Sequence, residues 1–243
     1  MIVGEEYREM LHRNIEQVRN RIADAAQSAG RNPGEITLVA VSKTRTAEEC
    51  AAAVELGLGI LGENRVQEAW EKILQVAALL GQSGISQPQW HLVGHLQSNK
   101  AGKAVAMFRL IQSLDDYELA LEINRHAQVL GKVQDCLIEV NTSGEESKFG
   151  VQPDSVLKLW EKAKELQNIH LLGLMTVGPL RGGEAATRRA FALLRELCNK
   201  VRAETGDSAG ILSMGMTSDM EWAITEGSTM VRIGTAIFGE RTY

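Results

Sequence analysis

A single lysine, Lys43, stands just beyond an apolar run, Leu38–Val41, that has the composition of a buried strand. A lysine at the end of a buried strand must pair with an anion or give up its charge, because burying an unpaired charge is costly. An amine that has lost its proton is a nucleophile toward carbonyl compounds. Lys43 is therefore a candidate for capturing a carbonyl ligand, and the alternative is a salt-bridged lysine at the rim of the fold.

Small hydroxyl residues and a glycine follow two later apolar runs. Thr217 and Ser218 come after one run, and Gly234 and Thr235 come after the last run of the chain. Ser218 and Glu221 also have the spacing of a helix capping box. Each pair alone suits ordinary helix capping, which such residues prefer. A site for an anion is the alternative, since backbone amides beside glycine and hydroxyl groups can bind one.

The elements that must position these residues alternate between strand and helix patterns. An amphipathic helix over about 5–29 comes first, and Thr46 with Glu49 predicts a capping box at the start of the next helix. The predicted strands are 36–41, 59–62, 90–95, 110–114, 135–141, 170–176, 210–216 and 230–233. Eight strands separated by helices predict an α/β fold, a single (β/α)8 barrel of TIM type over 1–243 with an extra N-terminal helix. An open doubly wound sheet is the alternative.

In such a barrel the loops after the strands form the active face, and phosphate commonly binds after strands seven and eight. Thr217, Ser218, Gly234 and Thr235 occupy those positions, which makes phosphate the leading ligand. Lys43 ends strand one at the same face. A lysine that captures carbonyls beside a phosphate site indicates either pyridoxal phosphate or the phosphorylated sugar of a Schiff-base aldolase.

Arg232 bears on the choice between these ligands. It precedes Gly234 by two residues on the last predicted strand, so the alternation of a strand points both to the same side. An arginine that stays charged can donate to the ring nitrogen of a pyridoxal cofactor and keep that nitrogen unprotonated. The alternative is an interior ion pair with an acid such as Glu63 or Glu139.

Two histidines, His91 and His95, fall within one predicted strand at a spacing that would face them to the same side. Two histidines without a third ligand are weak evidence for a metal, so we expect no metal site. We expect one of them in the pocket wall or core and the other at the end of the strand.

Composition excludes several classes of function. Hydrophobic residues make up 44% and charged residues 23% of the chain, as in ordinary globular proteins, and the net charge of -5 offers no basic surface for nucleic acid or anionic membrane. The three cysteines, Cys50, Cys136 and Cys198, lack metal-binding spacing and fit a reducing compartment. With no signal-peptide pattern and no apolar run of membrane-spanning length, we expect a soluble cytoplasmic protein.

The motifs taken together resemble the pyridoxal phosphate homeostasis protein family, a single-domain relative of the barrel domain of bacterial alanine racemase. The resemblance runs from the first predicted strand to the last, and it is their combination that is specific. The motifs that carry it are Val41–Thr44, Gly62–Asn64, Gln67–Glu68, His91–Gly94, Leu96–Lys100, Ser213–Asp219 and Val231–Gly239.

The resemblance implies a role for each matching residue. Lys43 matches the lysine that holds pyridoxal phosphate as a Schiff base, and Arg232 matches the arginine at the ring nitrogen. The positions that match phosphate-binding residues are Thr217, Gly234 and Thr235, with Ser218 as their neighbour. Asn64 matches an asparagine that lines the cofactor pocket, and we expect Met214 and Met216 to pack nearby and contribute to cofactor binding. The family usually has serine at position 217, and threonine keeps its hydroxyl group.

The residues favour a carrier over a catalyst. Racemisation needs two opposed acid/base groups, and in alanine racemase the second is a tyrosine of a further domain. The sequence ends four residues after Gly239, and its tyrosines, Tyr7, Tyr117 and Tyr243, are terminal or lie in a helix. We therefore expect no second domain, no second catalytic base and a monomer. An arginine at the ring nitrogen also weakens the cofactor as an electron sink.

The resulting hypothesis is an intracellular protein that binds pyridoxal phosphate, buffers it and delivers it, with transient contacts to pyridoxal-phosphate-dependent apoenzymes. The resemblance also implies effects on amino-acid and keto-acid balance. The alternatives are a fold-type-III amino-acid racemase or decarboxylase and, less favoured, a Schiff-base aldolase acting on phosphorylated sugars.

Overall fold

A computed structural model of the protein describes residues 3–240. Eight parallel strands close into a barrel in which each strand pairs with the next along the chain and the eighth pairs with the first. The strands are β1 (Thr37–Val41), β2 (Ile60–Glu63), β3 (Gln89–Leu92), β4 (Leu110–Leu114), β5 (Gln134–Glu139), β6 (Ile169–Met175), β7 (Ile211–Ser213) and β8 (Met230–Ile233). The predicted (β/α)8 barrel is confirmed, and the open sheet is excluded.

Helices cover the outside of the barrel. They are α1 (Glu5–Ser28), α2 (Ala47–Glu55), α3 (Val66–Ser83), α4 (Ala101–Met107), α5 (Tyr117–Val129), α6 (Val156–Ala163), α7 (Gly183–Thr205), α8 (Met220–Thr225) and α9 (Thr235–Phe238). The N-terminal helix α1 is present as predicted. It buries Leu11, Ile15 and Val18, which recur every three or four residues, and it contacts α8 and α9. Within 3–240 no helix has both the length and the apolar character needed to cross a membrane.

The barrel interior contains an apolar layer and, closer to the carboxyl ends of the strands, a layer of polar side chains. The apolar layer consists of Val39, Leu110, Leu137, Met175 and Met230, all nearly inaccessible to solvent. The next inward position along β4, β5 and β8 is polar in each case, namely Gln112, Glu139 and Arg232. The polar groups therefore lie toward the carboxyl ends of the strands, at the end of the barrel that we call the mouth.

Two helix starts test the capping predictions. Thr46 and Glu49 form the predicted capping box, with each side chain accepting from the backbone amide of the other residue. The capping box predicted for Ser218 and Glu221 is wrong, because α8 begins one residue later, after Asp219. Glu221 instead forms an ion pair with an arginine of α1.

Two strands, β3 and β7, end three residues earlier than the sequence predicts. β7 stops at Ser213 because the chain turns at Gly215, whose φ of 98° lies in the left-handed region that favours glycine. β3 stops at Leu92, so His95 lies off the strand. At Gly94 the chain passes so close to the loop after β2 that a Cβ atom would clash with the carbonyl oxygen of Asn64.

Candidate functional site

Lys43 lies at the mouth, in a tight turn just beyond the end of β1. The Arg45 amide donates to the Ser42 carbonyl at 3.0 Å and closes the turn, and Thr44 within it has a φ of 65°. A threonine rarely adopts this left-handed conformation, and such strain clusters at functional sites. The Lys43 side chain is half-buried, and among residues 3–240 its amine has no hydrogen bond and no ion pair. The alternative considered for Lys43, a salt bridge at the rim, is therefore not formed among the described residues.

A buried ion pair anchors this turn from behind. Lys72 of α3 donates to a carboxylate oxygen of Glu63 at 2.7 Å and to the Ser42 carbonyl at 2.9 Å. The Ser42 hydroxyl donates to the same Glu63 oxygen at 2.7 Å. The Glu63 side chain is inaccessible and that of Lys72 is 10% exposed. Because Ser42 directly precedes Lys43, the pair fixes the backbone from which the Lys43 side chain projects.

The end of β8 lies directly beside the end of β1. A Cβ atom on Gly234 would stand 3.2 Å from the Val41 carbonyl oxygen, so this close approach suits glycine. Several amides at this part of the mouth have no acceptor among residues 3–240, including those of Thr217, Ser218, Thr235 and Ala236. The predicted hydroxyl and glycine positions after β7 and β8 therefore present unpaired N–H donors on the side of the mouth where Lys43 lies.

Arg232 is held in the interior by a chain of hydrogen bonds. One guanidinium nitrogen donates to the Ser213 hydroxyl at 2.6 Å, and the other terminal nitrogen donates to the Thr176 carbonyl at 2.8 Å. Ser213 in turn donates to the Gln112 side-chain oxygen at 2.6 Å. An arginine has five N–H donors, so this chain fixes the guanidinium while leaving donors for a ligand. Burial lowers the pKa of Arg232 to about 10, against attraction from Glu139 and Asp219, so it stays charged at neutral pH.

The ion pair considered for Arg232 is not formed with either acid. Glu63 pairs with Lys72, and among the described residues no carboxylate forms an ion pair with Arg232. Glu139 faces the interior near the end of β5, is only 7% exposed and has one carboxylate oxygen without a hydrogen-bond partner. Burial chiefly, with repulsion from Asp115, raises the pKa of Glu139 to about 7, against attraction from Arg232.

The two histidines occupy different environments, so the prediction that one strand carries both is wrong. His91 is buried in the barrel interior, where its Nδ1 accepts from the Gln112 amide at 3.1 Å. Burial lowers the pKa of His91 to about 4, so the ring is neutral. His95 lies in the loop after β3, stacked on the Phe149 ring at 3.8 Å and 3.4 Å from an Asp115 carboxylate oxygen.

The remaining predicted site residues differ in their placement. The Asn64 side chain is half-buried at the end of β2, and its oxygen is buried without a partner. Met216 is 37% exposed in the loop after β7, and Ser218 is exposed in the same loop. Met214, next to the inward-facing Ser213, packs in the apolar cluster between strands and helices, away from the interior. The structure therefore brings all of these residues except Met214 to the mouth.

Several residues of the site were not predicted. Gln112, Ser213 and Thr176 hold Arg232, and Lys72 holds the turn of Lys43. Gln112 could have been noticed, because it is a polar residue inside an apolar strand pattern. Its polarity alone does not show which side chain it contacts. The three cysteines are buried free thiols whose pKa values burial raises, to about 12 for Cys50.

Replacing Glu139 by glutamine is expected to change the pH dependence of stability. The pKa of Glu139 is 4.5 in the unfolded chain and about 7 in the folded protein. Between these pH values folding takes up a proton, so the stability of the wild-type protein falls as the pH rises. The fall in the free energy of unfolding caused by Glu139 is on the order of 3 kcal/mol, and it is absent from the variant. Urea unfolding of both cofactor-free proteins at several pH values measures it; parallel stability profiles would contradict the prediction.

Comparisons with known proteins show which family the chain resembles. Residues 11–242 match the family model described as "Alanine racemase, N-terminal domain". A relative from Aquifex aeolicus named "Pyridoxal phosphate homeostasis protein" is 42% identical over 229 residues, which are 94% of this chain and 97% of the relative.

Two solved structures extend the likeness to three dimensions. A crystal structure described as that of "an unknown protein from Bifidobacterium adolescentis" is 39% identical, with a TM-score of 0.92 and 98% of each chain covered. PipY of Synechococcus elongatus, solved with pyridoxal phosphate bound, is 35% identical, with a TM-score of 0.77 over 90% of this chain and 100% of PipY. The chain therefore belongs to the pyridoxal phosphate homeostasis protein family, within the larger family of the alanine racemase N-terminal domain.

Proposed function

We propose that this protein binds pyridoxal 5'-phosphate covalently through Lys43 and holds it for delivery to apoenzymes in the cytoplasm, as a monomer built from one domain. The observation that carries the proposal is the Lys43 amine, which has no partner among residues 3–240 and belongs to the same mouth as the unpaired amide donors. The bound cofactor of PipY and the names of the relatives support it.

The residues of the mouth offer a partner for each of three groups of this cofactor: the aldehyde, the phosphate and the ring nitrogen. The amine of Lys43 adds to the aldehyde, water leaves and a carbon–nitrogen double bond forms. The free amides of Thr217, Ser218 and Thr235 are donors for the phosphate, and the unused N–H groups of Arg232 are donors for the ring nitrogen. When bound, the cofactor supplies a conjugated ring that withdraws electrons from the carbon attached to nitrogen.

The surroundings of the site favour holding the cofactor over catalysis. Tyr7 lies in α1 and Tyr117 begins α5, so neither faces the barrel interior, and Tyr243 lies outside the described residues. A charged Arg232 at the ring nitrogen would disfavour protonation there and reduce electron withdrawal. One observation favours the alternative, a fold-type-III enzyme: the interior carboxyl of Glu139 has a pKa of about 7, which suits proton transfer at neutral pH.

The test begins with spectrophotometric titration of the purified protein with pyridoxal phosphate. We expect a visible absorption band, and after borohydride reduction a single modified peptide that contains Lys43. The loaded protein should then reactivate an apo-aminotransferase, and it should not exchange the α-hydrogen of alanine with deuterium at an ordinary enzymatic rate. A protein that forms no band would overturn the binding proposal, whereas rapid hydrogen exchange would establish the enzyme alternative.

A further inference from the structure

An arginine of the N-terminal helix reaches the loop after β7 from outside the barrel. The Arg21 Nη2 atom donates to the Thr217 carbonyl at 3.0 Å, and its Nε donates to a carboxylate oxygen of Glu221 at 2.7 Å. Glu221 lies in the first turn of α8, against which α1 packs. The planar fork of a guanidinium suits this double contact, because two donors can be used while the group keeps one orientation.

The bond to the Thr217 carbonyl also sets the direction of the next amide. In a trans peptide the carbonyl of one residue and the N–H of the next point in opposite directions, and the described residues contain no cis peptide. Because Arg21 holds the Thr217 carbonyl on the α1 side, the Ser218 N–H points away from α1. That N–H has no acceptor among residues 3–240.

The rest of the loop is fixed by a second contact. An Asp219 carboxylate oxygen accepts the Met216 amide at 2.5 Å, and the Asp219 amide donates to the Met216 carbonyl at 3.2 Å. With the two ends of the 216–219 segment joined, the central peptide between Thr217 and Ser218 can still rotate about its flanking bonds. Arg21 is the side chain that holds this peptide in one orientation.

We propose that Arg21 is a positioning residue for the phosphate group of the ligand, which it serves by holding the Ser218 N–H toward the mouth without touching the ligand itself. The proposal rests on the proposed function, because it takes the phosphate of a pyridoxal compound as the group that the loop after β7 receives. It makes α1, an element outside the barrel, part of what distinguishes a phosphorylated ligand from an unphosphorylated one.

The experiment compares pyridoxal phosphate with pyridoxal, which has the same aldehyde but no phosphate. In Arg21→Gln we expect pyridoxal phosphate to bind about tenfold more weakly, the effect of one misdirected hydrogen bond to a charged group, while pyridoxal binding is unchanged. Inorganic phosphate alone should raise the melting temperature of the wild-type protein more than that of the variant.

Arg19→Gln is the matched control on the same helix. Its guanidinium donates at 2.8 Å to the Gly57 carbonyl, which precedes β2 and so lies at the opposite end of the barrel from the mouth. We expect this variant to bind both ligands like the wild type. If Arg21→Gln does not fold, Glu221→Ala removes the partner that orients the guanidinium, and the same selective loss should appear at smaller size.

Three outcomes would count against the proposal. An equal loss for pyridoxal and pyridoxal phosphate would show that Arg21 supports the whole fold, and unchanged binding of both would show that it has no role in orienting the loop. Either result overturns this inference and leaves the proposed function intact. A wild-type protein that forms no band with pyridoxal phosphate overturns the proposed function, and the inference with it.

Discussion

Replacing Lys43 by alanine is expected to abolish the visible absorption band that forms with pyridoxal phosphate, together with the covalent product of borohydride reduction. The reason is that Lys43 has an amine free of partners among the described residues and lies at the same mouth as the unpaired amides of Thr217 and Thr235. Those amides remain in the variant, so residual non-covalent binding of the phosphate is expected. Absorption spectroscopy with mass spectrometry of the reduced protein measures the first effect, and calorimetric titration measures the second.

Lys103→Ala is the control for this experiment. Lys103 lies in α4 on the outer layer, where its amine stands 5.9 Å from the Trp70 ring, so its removal should leave the band unchanged. A band of wild-type intensity in Lys43→Ala would place the covalent link on another lysine and would contradict the assignment.

Replacing Lys72 by methionine is expected to destabilise the protein by about 3–5 kcal/mol, because Glu63 is then left as a buried charge without its partner. The substitution also removes one of the two donors to the Ser42 carbonyl, so the turn of Lys43 should become less ordered and covalent loading with pyridoxal phosphate should slow. Urea unfolding of the cofactor-free protein measures the stability, and the rate of appearance of the visible band measures loading.

Two controls separate these effects. Lys200→Met makes the same exchange in an exposed pair with Glu204 and should cost less than about 1 kcal/mol. The double variant Lys72→Met with Glu63→Leu replaces the buried pair by apolar groups and should recover much of the lost stability. It does not restore the donor to Ser42, so slow loading should persist. Recovery of both properties together would show that the pair serves stability alone.

The sequence was sufficient for the architecture because the barrel depends on patterns that are local in the chain. Apolar strand patterns of four to seven residues recur between amphipathic helices, and each unit needs only its neighbours to be recognised. The ends of the units were less predictable. β7 was overestimated because Met214 and Met216 continue an apolar pattern through Gly215, where the backbone turns. α9 was missed because four residues carry no periodicity.

Within the site, the residues that could be predicted are those whose position along a strand determines where they point. Lys43 and Arg232 belong to this class. The residues that hold them could not be predicted, because the contacts join distant parts of the chain: Ser213 meets Gln112 across the barrel, and Lys72 reaches Ser42 from a neighbouring helix. Nothing in a linear pattern specifies which side chains will meet after closure of the barrel.

An apolar layer closes the barrel interior below the mouth, so that the interior is open at one end only. The layer consists of Val39, Leu110, Leu137, Met175 and Met230. A ligand bound at the mouth cannot leave through the apolar layer, so it must enter and leave by the mouth. A second ligand therefore cannot bind until the first has left. An acceptor that takes the ligand directly must approach the face by which the ligand arrived. The delivery proposed above would therefore be sequential, and its rate could not exceed the rate at which the loaded mouth becomes accessible.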